Sequence, residues 1–145
     1  MRIYLMARYQ RYPEMQQIAH TLAAMGHAIT SRWIWGTHSA SDGAIGTGTL
    51  GTLEAQFALD DCEDLVISDC CIGFSEVPRT PSRGGRFVEL GMAIALHKRI
   101  IVVGGSEHVF HALPQIAHVE SVEMLYTLLG GSVVVHAPAL THPMQ

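Results

Sequence analysis

The stretch Ser82-Arg83-Gly84-Gly85-Arg86-Phe87-Val88-Glu89-Leu90-Gly91-Met92-Ala93-Ile94-Ala95-Leu96 has Glu89 as its only ionisable side chain between Phe87 and Leu96. A segment apolar on every side reads as a helix laid against a sheet, not as a surface helix. His97-Lys98-Arg99 then supplies charges suited to a helix C-terminus, and Ile100 to Val103, ended by Gly104-Gly105, reads as the next strand. Upstream, Asp69-Cys70-Cys71-Ile72-Gly73-Phe74 is a continuous apolar run of the kind buried on both faces of a parallel sheet, with Ser75 to Arg83 as the loop leading to the helix. Glu89 itself is costly to bury unless something pairs with it. The glycines ahead of it place helix N-terminal amides nearby, where an anion is favoured. Two readings follow: a tuned nucleophile or acid/base, or a structural glutamate paired with Arg83 or Arg86.

Working outward, Arg2 to Met6 reads as a strand, and Pro13 to Met25, with Ile18, Leu22 and Met25 at helical spacing, as a helix stopped by Gly26. His27 to Trp35 reads as a second strand. Gly36 to Gly51 is rich in Gly, Ser and Thr without a core pattern, and its Gly46, Gly48 and Gly51 have dinucleotide-fingerprint spacing but lack the strand that should lead into them. A helix from a Thr52 cap to Ile67 is expected to face the core with Ala55, Ala58, Leu59, Cys62, Leu65 and Val66. Of its aspartates, Asp61 falls at the edge of that stripe, while Asp60 and Asp64 point further towards water. Alternatively, all three form a solvated helix end. Val109 to Leu113 reads as a short helix broken by Pro114, Ile116 to Val119 as a last strand and Ser121 to Leu129 as a closing helix; the tail from Ser132 stays ambiguous.

Strands alternating with helices predict an α/β fold: a flavodoxin-like, doubly wound, five-stranded parallel sheet of order 2-1-3-4-5. At 145 residues and 48% hydrophobic composition the chain is expected to form one domain, 1–145. A net charge of −4 with scattered Lys and Arg argues against a nucleic-acid partner. No apolar run reaches membrane-spanning length and Arg8 ends the first run too early for a signal peptide. Cys62, Cys70 and Cys71 match neither a disulfide framework nor paired zinc spacing, and read as reduced core thiols in a cytoplasmic protein. His108 and His111 have the i, i+3 spacing of two metal ligands with no third nearby, so neither a metal nor another cofactor is expected.

In the predicted strand order the loops after the first and third strands flank one crevice, bringing Tyr4, Arg8 and Tyr9 to the mouth that Ser75 to Glu89 lines. Arg83, Arg86 and the amides of Gly84 and Gly85 give that mouth a density of anion donors. Trp33, Trp35 and Tyr9 are candidates to stack on a base, or to pack in the core. Asp61 and Glu89, with a tyrosine to orient Glu89, suit attack at a sugar carbon through a cationic transition state. One carboxylate then forms a glycosyl-enzyme while another group manages the leaving-group proton.

Ile3-Tyr4-Leu5, Thr30-Ser31-Arg32-Trp33, Asp61 with Asp69, and Val88-Glu89-Leu90-Gly91 followed by Ala93 and Lys98 occur in the order and spacing of a known family. Over nearly its whole length the chain resembles the nucleoside 2-deoxyribosyltransferase family, which includes 2′-deoxynucleoside 5′-phosphate N-hydrolases and uncharacterised phage proteins. The resemblance implies that Glu89 is the nucleophile, Asp61 the active-site aspartate and Tyr4 the tyrosine touching the nucleophile. It also implies a small-molecule nucleoside or nucleotide partner and a homodimer or larger homo-oligomer, while Ser82, within the segment lining the mouth, is expected to bind substrate. The chain departs from the family pattern in two places. Arg83 stands where the transferases have an aspartate and the nucleotide hydrolases a serine. Ala7-Arg8-Tyr9-Gln10-Arg11 replaces a Gly/Ser/Arg-rich phosphate loop. These departures lean towards a nucleotide substrate, since arginine suits a phosphate. A catalytically silent nucleotide-binding module is the competing class. A cytokinin-activating-type phosphoribohydrolase is a third, its Pro-Gly-Gly-x-Gly-Thr-x-x-Glu pattern only partly echoed by Pro81 to Glu89.

Overall fold

The computed structural model describes residues 1–36 and 51–130, and in it the apolar runs form strands β1 (Arg2–Met6), β3 (Cys70–Phe74) and β4 (Arg99–Val103). With β2 (Ala28–Ile29) and β5 (Ile116–Val119) they make one parallel sheet of order β2-β1-β3-β4-β5, the flavodoxin-like arrangement expected. Ile3, Tyr4 and Leu5 pair with Cys70, Cys71 and Ile72, and Cys70, Cys71 and Ile72 pair with Arg99, Ile100 and Ile101. Both faces of these central strands are covered, which is why they read as unbroken apolar runs.

Helix α1 (Tyr12–Ala24) starts with Pro13 in its first turn and buries Met15, Ile18, Ala19 and Leu22, an i, i+3, i+4, i+7 stripe. Gly26, at φ +92°, takes the left-handed turn after it. Helix α2 (Thr52–Val66) follows Gly51, whose N–H donates to Glu54 Oε2 at 2.9 Å; Gly51, not Thr52, holds the capping position. Helix α3 (Gly85–Ala95) starts behind Gly84, in the left-handed region at φ +84°. Helix α4 (Val122–Leu128) is capped by Ser121 Oγ, which accepts from Met124 N–H at 3.2 Å. Among the described residues no helix is long and apolar enough to cross a membrane.

Further expectations are corrected. The second strand stops at Ile29, and Arg32–Trp35 is a 3-10 turn closed by Gly36 in the left-handed conformation. Side chains replace the missing strand. Ser31 Oγ accepts from Leu5 N–H at 2.6 Å, and Trp33 Nε1–H donates to the Leu5 carbonyl at 2.9 Å, satisfying both backbone groups of that residue.

On α2, of the expected core stripe only Leu65 is buried; Leu59 and Val66 are 59% and 51% exposed, and Ala55, Ala58 and Cys62 face solvent. The helix is turned the other way because Asp64, expected in water, is buried on Arg32. Its oxygens accept from Arg32 N–H and Nε–H, both at 2.8 Å. Cys62 is therefore a surface thiol, while Cys70 and Cys71 lie in the core, where burial pushes the Cys70 thiol up to about 12.

Helix α3 is covered on one side only. Leu90 and Ala93 are buried, whereas Val88, Gly91, Ala95 and, just beyond the helix, Leu96 are exposed. Lys98, expected to close α3, instead donates from Nζ to the Val66 and Ser68 carbonyls at 2.6 and 2.7 Å, capping the end of α2. The tail from Ser132, and Gly46 and Gly48, lie outside the described residues.

Candidate active site

Parallel order puts the loops after β1 and β3 on either side of one crevice at the C-terminal edge of the sheet, and a cavity of about 420 Å³ opens there. The loop after β1 contributes Ala7, Arg8, Tyr9 and Gln10, the turn after β2 contributes Trp33, and α2 contributes Asp61. Pro81, Ser82, Arg83, Gly85, Arg86 and Glu89 complete the lining. Of the residues singled out in the sequence, Arg8, Tyr9, Trp33, Asp61, Ser82, Arg83, Gly85, Arg86 and Glu89 meet in this one space. Tyr4 and Gly84 are not part of the lining. Tyr4 is fully buried beneath it, and Gly84 makes the turn into α3, with its N–H donating to Ser82 Oγ at 3.2 Å. Trp35 also turns away: it is 48% exposed and packs against His20 with ring centroids 5.6 Å apart.

The floor is set by β1 and α3. Tyr4 on the central strand extends its hydroxyl to Glu89, donating to Oε1 at 2.8 Å. Burial pushes the Glu89 carboxyl up to about 8; the Tyr4 hydrogen bond pulls it back and the negative charge of Asp61 pushes it further up. Tyr4 is raised well above the ordinary phenol range, first by burial and then by the charges of Glu89 and Asp61. The floor therefore holds its carboxyl proton more tightly than an ordinary glutamate does.

The rim is built differently. Arg86 Nη1 and Nη2 donate to the two Glu107 oxygens at 2.6 and 2.7 Å, so the arginine pairs with Glu107 and with neither Glu76 nor Glu89. Arg11 Nη1 donates to Glu76 Oε1 at 3.2 Å and to the Ser75 carbonyl at 3.1 Å, lashing the loop after β1 to the loop after β3. Arg8 Nη1 stands 4.0 Å from the other Glu76 oxygen. Glu107 was not singled out in the sequence, and Ala7, Gln10, Arg11, Glu76 and Pro81 were given no place among the site residues. Those after β1 and β3 belong to loops that the predicted strand order placed at the crevice; Glu107, beyond β4, carried no such signal.

Tyr9 bridges the aromatic side, its ring 6.3 Å from Trp33 and 5.4 Å from Tyr12. The histidine pair serves the backbone: His111 Nδ1 accepts from Glu107 N–H at 3.0 Å and His108 Nδ1 from Phe110 N–H at 3.3 Å. Among the described residues no three metal-ligating side chains gather.

No family model matches the chain, and no curated protein matches it in sequence. Its structure is similar to that of the CMP N-glycosidase BcmB of Clostridium botulinum, with a TM-score of 0.58 and 18% identity over 89% of this chain and 98% of that one. It is also similar to a 2-deoxyribosyltransferase of Bacillus psychrosaccharolyticus, with a TM-score of 0.62 and 16% identity over 86% of this chain and 90% of that one. The chain shares their fold. Both alignments run over nearly the whole length of the solved chains, so no large part of either neighbour lacks a counterpart here.

Proposed function

We propose that the protein cleaves the N-glycosidic bond of a 2′-deoxynucleoside or its 5′-monophosphate, as a member of the nucleoside 2-deoxyribosyltransferase family. The observation that carries this reading is the Tyr4–Glu89 pair at the floor of a cavity that Asp61 also lines. It places a carboxylate with an orienting hydroxyl under a space walled by aromatics and arginines. The names of the two structural neighbours, one an N-glycosidase and one a deoxyribosyltransferase, support the same chemistry.

In the reaction, ionised Glu89 attacks C1′ while the C1′–N bond breaks and its electron pair goes to the base nitrogen. A proton delivered by way of Asp61 neutralises the departing base. The negative charge of Glu89 and Asp61 stabilises the oxocarbenium-like transition state. Water, or a second base, then attacks C1′ of the glycosyl-enzyme as the C1′–O bond to Glu89 breaks, giving the free sugar or a new nucleoside, and the attacker's proton returns to Asp61. Tyr4 holds Glu89 on its line of attack. Trp33 and Tyr9 stack on the base, and Arg8 and Arg83, with Ser82 and the Gly85 amide, serve the 5′ end.

Incubation with a panel of nucleosides and monophosphates, with and without a free base, tests this by chromatography of the products. Release of free base confirms cleavage, and a new nucleoside confirms transfer. Binding without turnover would favour a nucleotide-binding module. The outer faces of α2 and α3, where Leu59, Val66 and Val88 are 59%, 51% and 67% exposed and no charged side chain of α3 intervenes, support assembly with a second copy of the chain. Light scattering is expected to give at least a dimer, and an active monomer would refute it.

A further inference from the structure

Arg86 lines the cavity, yet its charge is already taken. Its side chain is only 8% exposed, both terminal nitrogens go to Glu107, and its guanidinium carbon lies 4.3 Å from the Phe87 ring centroid. A bidentate arginine–carboxylate pair of this kind presents little net charge to a ligand. Glu107 is itself fixed from two sides. Its N–H donates to the buried His111, and its carboxylate accepts from both terminal nitrogens of Arg86. Burial is the largest single influence and works against its ionisation, but the hydrogen bonds and the charge of Arg86, with smaller contributions beside them, together hold the carboxyl below the ordinary range. The Arg8 corner is looser, with 4.0 Å between Arg8 and Glu76 and a 24% exposed arginine.

We propose that Glu107 is a specificity-determining residue acting through Arg86: by cancelling that charge it keeps one wall of the cavity from binding an anion. It thereby limits the preference for a 5′-phosphorylated over an unphosphorylated nucleoside. This rests on the N-glycosidic reading of the site. Phosphate recognition falls to Arg8 and Arg83, and the Arg86–Glu107 pair sets how much a phosphate gains over a bare 5′-hydroxyl.

The test measures kcat/KM for a deoxynucleoside and its 5′-monophosphate at low salt in wild type, Glu107→Gln, Glu107→Asp and the double variant Arg86→Gln/Glu107→Gln. Glu107→Gln is expected to raise the monophosphate-to-nucleoside ratio roughly three- to tenfold, the scale of one partly exposed charge-assisted contact. The gain should lie in KM and shrink at roughly 0.5 M salt, where exposed charges are screened. Glu107→Asp should keep the wild-type ratio and the double variant should return to it. If thermal melts show that Glu107→Gln does not fold, Arg86→Gln carries the test, because it leaves the Glu107 anion bare and should push the ratio below wild type. An unchanged ratio in folded variants, or equal changes for both substrates, would reduce the pair to a strut and overturn the proposal. Failure of wild type to turn over either substrate speaks against the reaction alone. The ratio is then taken from calorimetric dissociation constants, and absence of binding by both ligands overturns the proposal as well.

Discussion

The floor and the rim of the cavity use the same side chain to opposite ends. At the floor, Glu89 is half-buried against the Tyr4 hydroxyl within reach of the negative charge of Asp61, and its carboxyl rises to about 8. At the rim, Glu107 is also taken out of water, but it meets a guanidinium edge-on and falls below the ordinary range. Burial opposes ionisation in both places, and the partner decides which way the group goes. A carboxylate left without a cation is a reactive group; one given a cation becomes structure. The cavity needs both, because an electron-rich floor can attack only what the rim holds in place.

Removing the floor carboxylate is the largest break in this contrast. Glu89→Gln should lower kcat by at least roughly a thousandfold, as expected for loss of a nucleophile, while the thermal melt stays cooperative. Activity near wild type would end the glycosyl-enzyme mechanism. Asp61→Asn comes next, with a loss of roughly a hundredfold or more from proton management. It also removes the charge that pushes Glu89 up, so the acid limb of the kcat/KM profile, which follows ionisation of Glu89, should move to lower pH. Tyr4→Phe should move the same limb to higher pH, because the hydrogen bond that favours the carboxylate is gone. Limbs that move together in the two variants would show that the pH dependence belongs to another group.

The smallest effects are on stability, and they too should have opposite signs. Glu89 is raised from 4.5 to about 8 on folding, so the stability of its neutral form is full below about 4.5 and lost as pH rises through about 8. Glu89→Gln escapes that loss, and its melting temperature should climb relative to wild type between pH 5 and 8. The Glu107 contribution is present above the ordinary value of 4.5 and disappears as pH falls through its lowered value. Glu107→Gln should therefore cost about 1.5–3 kcal/mol near neutrality, the scale of hydrogen bonds to a charged group. That deficit should close in acid. Parallel melting curves for the two variants would abolish the distinction between floor and rim.

The central strands were legible because burial on both faces leaves nothing but apolar residues, and Glu89 was legible because it interrupts such a run. The extent of β2 was not. Trp33 and Ile34 are as apolar as strand residues, and only the approach of Leu5 shows that the first of them serves as a hydrogen-bond donor from a turn. On α2 the apolar stripe pointed to the wrong face, since the orientation is set by Asp64 meeting Arg32, residues 32 positions apart and unpaired by any local pattern. The part that Arg11, Glu76 and Glu107 play at the rim was hidden for the same reason. Their meaning lies in three loops that the sheet brings together, and no spacing along the chain encodes that meeting.

The two-residue β2 also decides how the molecule meets its neighbours. An outer strand with a long row of unused amides and carbonyls invites another chain to add itself, the usual beginning of edge-to-edge aggregation. Here that row stops after Ile29, and at Leu5 both backbone groups are already occupied by Ser31 Oγ and Trp33 Nε1. A strand arriving at this edge finds a template too short to copy. Among the described residues, growth of the sheet from molecule to molecule thus has little to build on at the β2 side, whereas packing of helices saturates at a defined number of subunits instead of running on as a fibre.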